Sequence, residues 1–339
     1  MNIFNFTKTE LEEYLIKNNF KKYNATQIIE WVYQKNINDF NNMSNISKKL
    51  ISFCDDNLFF KLPKIIKKEE SKLANKYLLE LDDGNKIECV LMFHDYGNSL
   101  CISSQIGCNM GCSFCESGRL KRVRNLELYE LSGQILSISK YENIKIDYVV
   151  VMGIGEPFDN FENIKRFISV VIDNKMINIG QRHLTISTCG IVPKIYEFAD
   201  LCTGVNLAIS LHSPNDELRS SIMKINKVYN IKELFKAIDY YILKTNRRVT
   251  IEYIMLLDIN DDEKCAKELA KLLKGKLVYV NLIPYNETSN FTMKRSNDFK
   301  IKKFYDILKM NNINVTIRKE MGSNLSAACG QLRANENKF

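Results

Sequence analysis

From about residue 98 the chain alternates short β-rich runs with longer amphipathic segments, which restricts it to a largely parallel sheet or barrel with helices outside. Residues 100–104, 148–152, 183–187, 205–210, 249–255, 277–283 and 314–318 read as strands. The intervening 127–141, 161–174, 192–198, 231–244, 263–274 and 298–310 carry apolar residues at helical spacing. Seven strands with six helices between them give an α/β fold, a partial (β/α)6 barrel. In that architecture ligands gather at the C-terminal ends of the strands.

Residues 1–75 read as a small helical domain, with Leu11, Tyr14 and Leu15 and then Ile28, Ile29, Trp31 and Val32 on helical faces. A hairpin extension over 76–97 follows, turning at Asp82-Asp83-Gly84-Asn85, and the barrel core occupies 98–339. The apolar content of 45% is that of a folded chain rather than a disordered tail. No run approaches a membrane span, and residues 1–8 lack the charged and apolar regions of a signal peptide, so the expectation is a cytoplasmic protein with no membrane partner. A formal charge of +8 admits nucleic acid as a partner without requiring it. Ten cysteines in a reducing compartment point to metal ligands or reactive thiols wherever they cluster.

They cluster directly after the first barrel strand. Cys108, Cys112 and Cys115 have the spacing C-x3-C-x2-C on a glycine-bearing loop. Three thiolates this close can hold three corners of a [4Fe–4S] cluster, leaving one iron open to a small ligand. A structural zinc site is the alternative, but such sites are closed by four ligands, and neither Cys nor His follows at finger spacing. Further motifs end the later strands: Gly153-Ile154-Gly155-Glu156-Pro157, Thr185-Ile186-Ser187-Thr188, Ser210-Leu211-His212-Ser213 and Ile283-Pro284-Tyr285-Asn286. Each alone reads as capping or turn chemistry; together they line one mouth.

The triplet after a first barrel strand resembles the radical S-adenosylmethionine (SAM) enzymes. With Cys101 just upstream and the tail Ser326-Ala327-Ala328-Cys329-Gly330, residues 76–333 resemble the RlmN/Cfr family of RNA adenine methyltransferases. The resemblance implies a [4Fe–4S] cluster on Cys108, Cys112 and Cys115. It implies SAM, two molecules per turnover, near Gly155, Glu156, Ser187, Ser210, Leu211, His212 and Asn286. It further implies that Cys329 accepts a methyl group, that the resulting carbon joins the base, and that a Cys101–Cys329 disulfide then releases the product. Glu88, in a strand thirteen residues before Cys101, stands where the family carries a proton acceptor; on its own pattern it reads equally as a solvent-facing strand carboxylate.

The implied substrates are C2 of an adenine in 23S rRNA and of the adenine 3′ to the tRNA anticodon, acted on by a monomer with an electron donor such as flavodoxin or ferredoxin. Methylation at C8, of the Cfr type, is the alternative. A non-catalytic RNA-binding module with a structural metal would instead hold zinc and leave SAM intact. The run Arg119-Leu120-Lys121-Arg122-Val123-Arg124 departs from the family pattern and puts four cations beside the mouth, where they could meet phosphates. Lys8, Lys17, Lys21 and Lys22, with Tyr14, Phe20 and Tyr23, resemble the family's small RNA-binding domain.

Overall fold

A computed structural model describes residues 1–318 apart from 202 and 289. Cys329 and its loop lie outside the described residues. The N-terminal region holds α1 (Lys8–Lys17), α2 (Tyr23–Ile29) and α3 (Lys48–Asn57). Thr7 and Glu10 form a reciprocal cap that starts α1, satisfying backbone donors the first turn would otherwise leave open. Arg166 of the barrel ties this region down: its guanidinium binds Glu10 at 2.7 Å and the Asn5 carbonyl at 2.6 Å.

Four antiparallel strands come next: β1 (Lys64–Glu70), β2 (Ala74–Glu80), β3 (Lys86–His94) and β4 (Gly97–Ile102). The expected helical region of 1–75 therefore ends early, and the extension is larger than one hairpin. The strand β1 escaped the sequence reading because Lys67, Lys68, Glu69 and Glu70 break the alternation and a register shift falls between Ile65 and Lys67. Charge and irregularity of this kind suit an edge strand, where they block pairing with another sheet.

The barrel follows as β5 (Gln105–Ile106), β6 (Arg124–Asn125), α4 (Leu128–Glu142), β7 (Tyr148–Val151), α5 (Phe161–Ile172), β8 (Leu184–Thr188), α6 (Val192–Asp200) and β9 (Asn206–Ser210). It continues with α7 (Asp216–Ile222), α8 (Ile231–Thr245), β10 (Val249–Met255), α9 (Glu263–Leu273), β11 (Val278–Pro284), α10 (Asp298–Met310) and β12 (Val315–Ile317). One ten-stranded sheet runs β1-β2-β3-β4-β7-β8-β9-β10-β11-β12, parallel from β4 onward. The seven parallel strands and the six helices linking them match the expected partial barrel; α7 is an additional short helix.

Residue parity divides the sheet. Leu100, Val149, Val151, Ile186, Leu207, Ile251 and Val280 point outward into the main core against the helices. The alternate positions, among them Cys101, Val150, Ser187, Ser210 and Glu252, face inward. No helix among the described residues is long and apolar enough to cross a membrane.

Candidate active site

The cluster loop is built on backbone contacts. Gly107 has φ +74°, and a Cβ there would lie 2.4 Å from the Lys121 carbonyl oxygen, so only glycine admits this turn. The next residue, Cys108, donates its N–H to the Leu120 carbonyl at 2.8 Å. Farther along, the Ser113 N–H donates to the Ile222 carbonyl at the end of α7, 3.0 Å away. Cys108, Cys112 and Cys115 thereby line one cavity together with Met152, Gly155 and Glu156. Across from them stand Ser187, Ser210, His212, Glu252 and Arg318.

Burial pushes the Cys108 thiol up to about 12 and the Cys112 thiol up as well, with neighbouring cysteines and Glu156 adding to the rise. Such thiols lose their protons to a metal rather than to water. A [4Fe–4S] cluster takes each thiolate on a different iron, so its sulfurs need not converge on one point as the ligands of a single zinc ion must. Among the described residues no three His, Cys, Asp or Glu converge in that way.

Gly155 has φ +105°, and a Cβ on it would sit 2.6 Å from Cβ of Gln105. Glu156 is 4% exposed. Its Oε1 accepts from the Phe158 N–H at 3.0 Å and its Oε2 from the Cys189 N–H at 2.8 Å, while burial raises its pKa. The carboxylate keeps further lone pairs for a donor in the cavity. His212 adopts φ +57°, and its Nδ1 accepts from the Ile254 N–H at 3.1 Å. Burial lowers its pKa to about 3, so the ring is neutral, with its proton on Nε2. Its ring meets Phe114 of the cluster loop edge-on at 4.9 Å.

Leu211 and Asn286 are not among the lining residues. The Leu211 side chain is fully buried in the outward core. Conversely, sequence reading passed over Glu252 and Arg318. Glu252 is buried, accepts from Asn281 Nδ2 at 2.8 Å, and has its pKa raised by burial against the opposing pull of Arg318. A carboxylate alone in the otherwise apolar run of β10 was the available signal. Cys189 also lines the cavity.

Glu88 is not solvent-facing. It is 4% exposed and its Oε1 lies 3.0 Å from Lys76 Nζ. On β4, Cys101 sits directly opposite Val90 of β3, which puts Cys101 on the same inward face as Glu88. Cys101 packs with Val90, Met92 and Ile154, and Met152 touches this patch while also lining the cavity.

Arg119, Arg122 and Arg124 of the basic run have partners within the protein, while Arg119 and Lys121 are exposed. Arg122 pairs with Asp159. Arg124 grips the fully buried Glu130 through two bonds of 2.7 Å and reaches Asp83 at 2.7 Å, holding the Asp83 carboxyl down at about 2. Arg119 bonds the Asn290 carbonyl and lies over the Phe291 ring. In the N-terminal domain, Tyr14 and Phe20 are partly buried and meet Phe53 at tilted angles, whereas Tyr23 is exposed.

Comparison with known proteins agrees with this geometry. The ribosomal RNA large subunit methyltransferase N-terminal domain (RlmN_N) matches residues 1–52, and the radical SAM superfamily matches residues 102–273. A Spiroplasma citri protein named probable dual-specificity RNA methyltransferase RlmN is 49% identical over 336 residues, 98% of this chain and 97% of its own. One of the same name from Clostridium botulinum (strain Okra / Type B1) is 50% identical over 334 residues, 98% of each chain. The chain belongs to the RlmN family of radical SAM RNA methyltransferases. The crystal structure of a radical SAM methyltransferase from Sphaerobacter thermophilus superposes with a TM-score of 0.92 at 37% identity, covering 99% of this chain and all of that one. Membership in the RlmN family brings a [4Fe–4S] cluster and SAM as cofactors, for which the thiol loop and the strand-end cavity are the matching features.

Proposed function

We propose that the protein methylates C2 of adenine in 23S rRNA and in tRNA, 3′ to the anticodon, with Cys329 and Cys101 as a pair of working thiols. The observation that carries this reading is the inward face shared by Cys101 and Glu88, continuous through Met152 with the cavity of the cluster loop. Its substrates follow the names of the relatives, which are dual-specificity RNA methyltransferases of the RlmN type.

Cys108, Cys112 and Cys115 would hold the cluster, and Gly155, Glu156, Ser187, Ser210 and His212 would hold SAM. Asn286 would act from the rim, and Leu211, buried in the outward core, would support the strand end beside Ser210 and His212. When bound, cluster and SAM supply one-electron chemistry able to functionalise an electron-poor ring carbon; the electron comes from a flavodoxin or ferredoxin. Two SAM are used per turnover, one of them to methylate Cys329.

The chain's own groups do the rest. Cys329 carries the methyl carbon to the base. Glu88, within reach of Lys76 as a proton relay, or the Cys101 thiolate takes the proton leaving the ring carbon. Cys101 would then bond to the Cys329 sulfur as the bond from that sulfur to the methylene carbon breaks; the carbon takes up a proton to become the methyl group of the released base, the unpaired electron returns to the cluster site, and a dithiol reduces the disulfide. Neutral His212 and buried Glu156 orient the ligand without competing for that proton. The enzyme acts as a cytoplasmic monomer.

Reconstituted protein given a 23S rRNA fragment or unmodified tRNA and isotopically labelled SAM should yield 2-methyladenosine on digestion and mass analysis. Recovery of 8-methyladenosine alone would replace C2 by C8, and the absence of any methylated adenosine would reject the reading.

A further inference from the structure

Arg219 on α7 is fully buried, and the proposed activity gives it no task. Among the described residues its hydrogen bonds end on neutral acceptors. Nε donates to the Leu211 carbonyl at 3.1 Å, Nη1 to Asn226 Oδ1 at 2.8 Å, and Nη2 to the carbonyls of Cys189 at 2.7 Å and Ser210 at 3.2 Å. The carboxylate of Asp216 acts on it through space, but Asp216 Oδ1 is engaged by Asn226 Nδ2 at 2.9 Å and the Ile231 N–H at 2.8 Å. A guanidinium removed from water is costly unless an opposite charge answers it.

The opposite charge available is at the thiol loop. Ser113, between Cys112 and Phe114, is hydrogen-bonded to the last residue of α7, Ile222, through both its N–H and its hydroxyl. Cys112, Cys115, Cys189, Ile222 and Met223 belong to one packed cluster, and Cys112 and Cys189 both act electrostatically on Arg219. Gly190, at φ +109°, borders the guanidinium: a Cβ there would lie 3.4 Å from Nη2, an ordinary van der Waals contact. Three carbonyls at the ends of β8 and β9 and the Asn226 side chain thus fix one cation at the thiol loop, within electrostatic reach of Cys112, a thiol that carries negative charge when it ligates iron.

We propose that Arg219 is the built-in counter-charge of the cluster site and a positioning residue for the strand ends, favouring the reduced form of the bound cluster. The proposal rests on the reading that Cys108, Cys112 and Cys115 hold that cluster. One electron enters the cluster from an external low-potential donor; Arg219 stays protonated and exchanges no atom. Removing one nearby buried charge should lower the ratio of reduced to oxidised cluster at a fixed potential by roughly tenfold, about 59 mV for a one-electron couple.

The test is a dithionite redox titration followed by electron paramagnetic resonance on anaerobically reconstituted wild type, Arg219→Gln and Arg219→Lys. Iron and sulfide content and circular dichroism are measured on each. The expected result is a tenfold fall in that ratio for Arg219→Gln and a near-native ratio for Arg219→Lys, which keeps the charge and loses the fork. Equal shifts in both variants, or none in Arg219→Gln, would overturn the proposal. If Arg219→Gln does not load, Arg219→Lys decides: a native ratio supports the counter-charge, and a tenfold shift rejects it. If both variants fold and neither loads, Arg219 assembles the site rather than sets its charge, and the proposal fails. Wild type without four irons would sink the cluster reading itself, a distinct outcome.

Discussion

The cluster loop and the basic run after it occupy adjacent chain, yet their side chains meet opposite fates. Residues 108–115 turn three thiols into one cavity, where burial keeps Cys108 and Cys112 protonated until a metal takes them. Arg122 and Arg124, a few residues on, are half-buried and pair their charges with Asp159, Glu130 and Asp83. Both stretches looked functional in sequence. The difference is that three closely spaced thiols can come together by local geometry alone, whereas a cation is available to RNA only if the folded protein supplies no nearer anion.

The largest effect that could break this contrast is on metal content. Replacing Cys108, Cys112 and Cys115 together by alanine should remove essentially all cluster iron and sulfide from anaerobically reconstituted protein that still folds. A triple variant retaining four irons would show that the loop is not the ligand set.

Next in size is the inward-turned charge. Arg124→Ala leaves the fully buried Glu130 without its guanidinium and should lower the unfolding free energy by about 3–5 kcal/mol. Urea unfolding measures it; a loss under about 1 kcal/mol would mean that Glu130 is adequately served by its bonds to the Glu127 N–H and the Tyr129 hydroxyl.

Smallest is the partly exposed Arg122–Asp159 pair, whose side chains are 31% and 28% exposed. Arg122→Ala should cost roughly 0.2–1 kcal/mol and leave tRNA affinity within about twofold. A steep loss of affinity, with a flatter salt dependence, would return this arginine to the RNA interface.

Much of the barrel was legible because its signals are local. Period-two apolar runs such as Val149 and Val151 must bury one sheet face, and helices such as α9, with Cys265, Ala266, Leu269, Ala270 and Leu273 on one side, must bury one stripe. The charged edge strand β1 gave no such signal. The three cluster cysteines lie within eight positions, so their meeting needed no fold to be inferred. Glu252 and Arg318 are remote in sequence from the thiols and from each other, and nothing short of the closed sheet brings them to the same cavity. Cys189 was passed over for the same reason: its role as a wall of the site comes from α7 and the cluster loop packing on it.

Sequence alone therefore determined the alternation of strand and helix and the C-x3-C-x2-C grouping of three thiols on a glycine-bearing loop, since each depends on neighbours a few residues away. Cys329, proposed from the motif, lies outside the described residues. The tertiary structure decided which polar groups remain for chemistry. It paired Glu88 with Lys76, directed Arg124 to Glu130, and left Arg219 buried among carbonyls beside the thiols. The physical reason is that a charge is assigned by what surrounds it in three dimensions, where burial and distance set its energy.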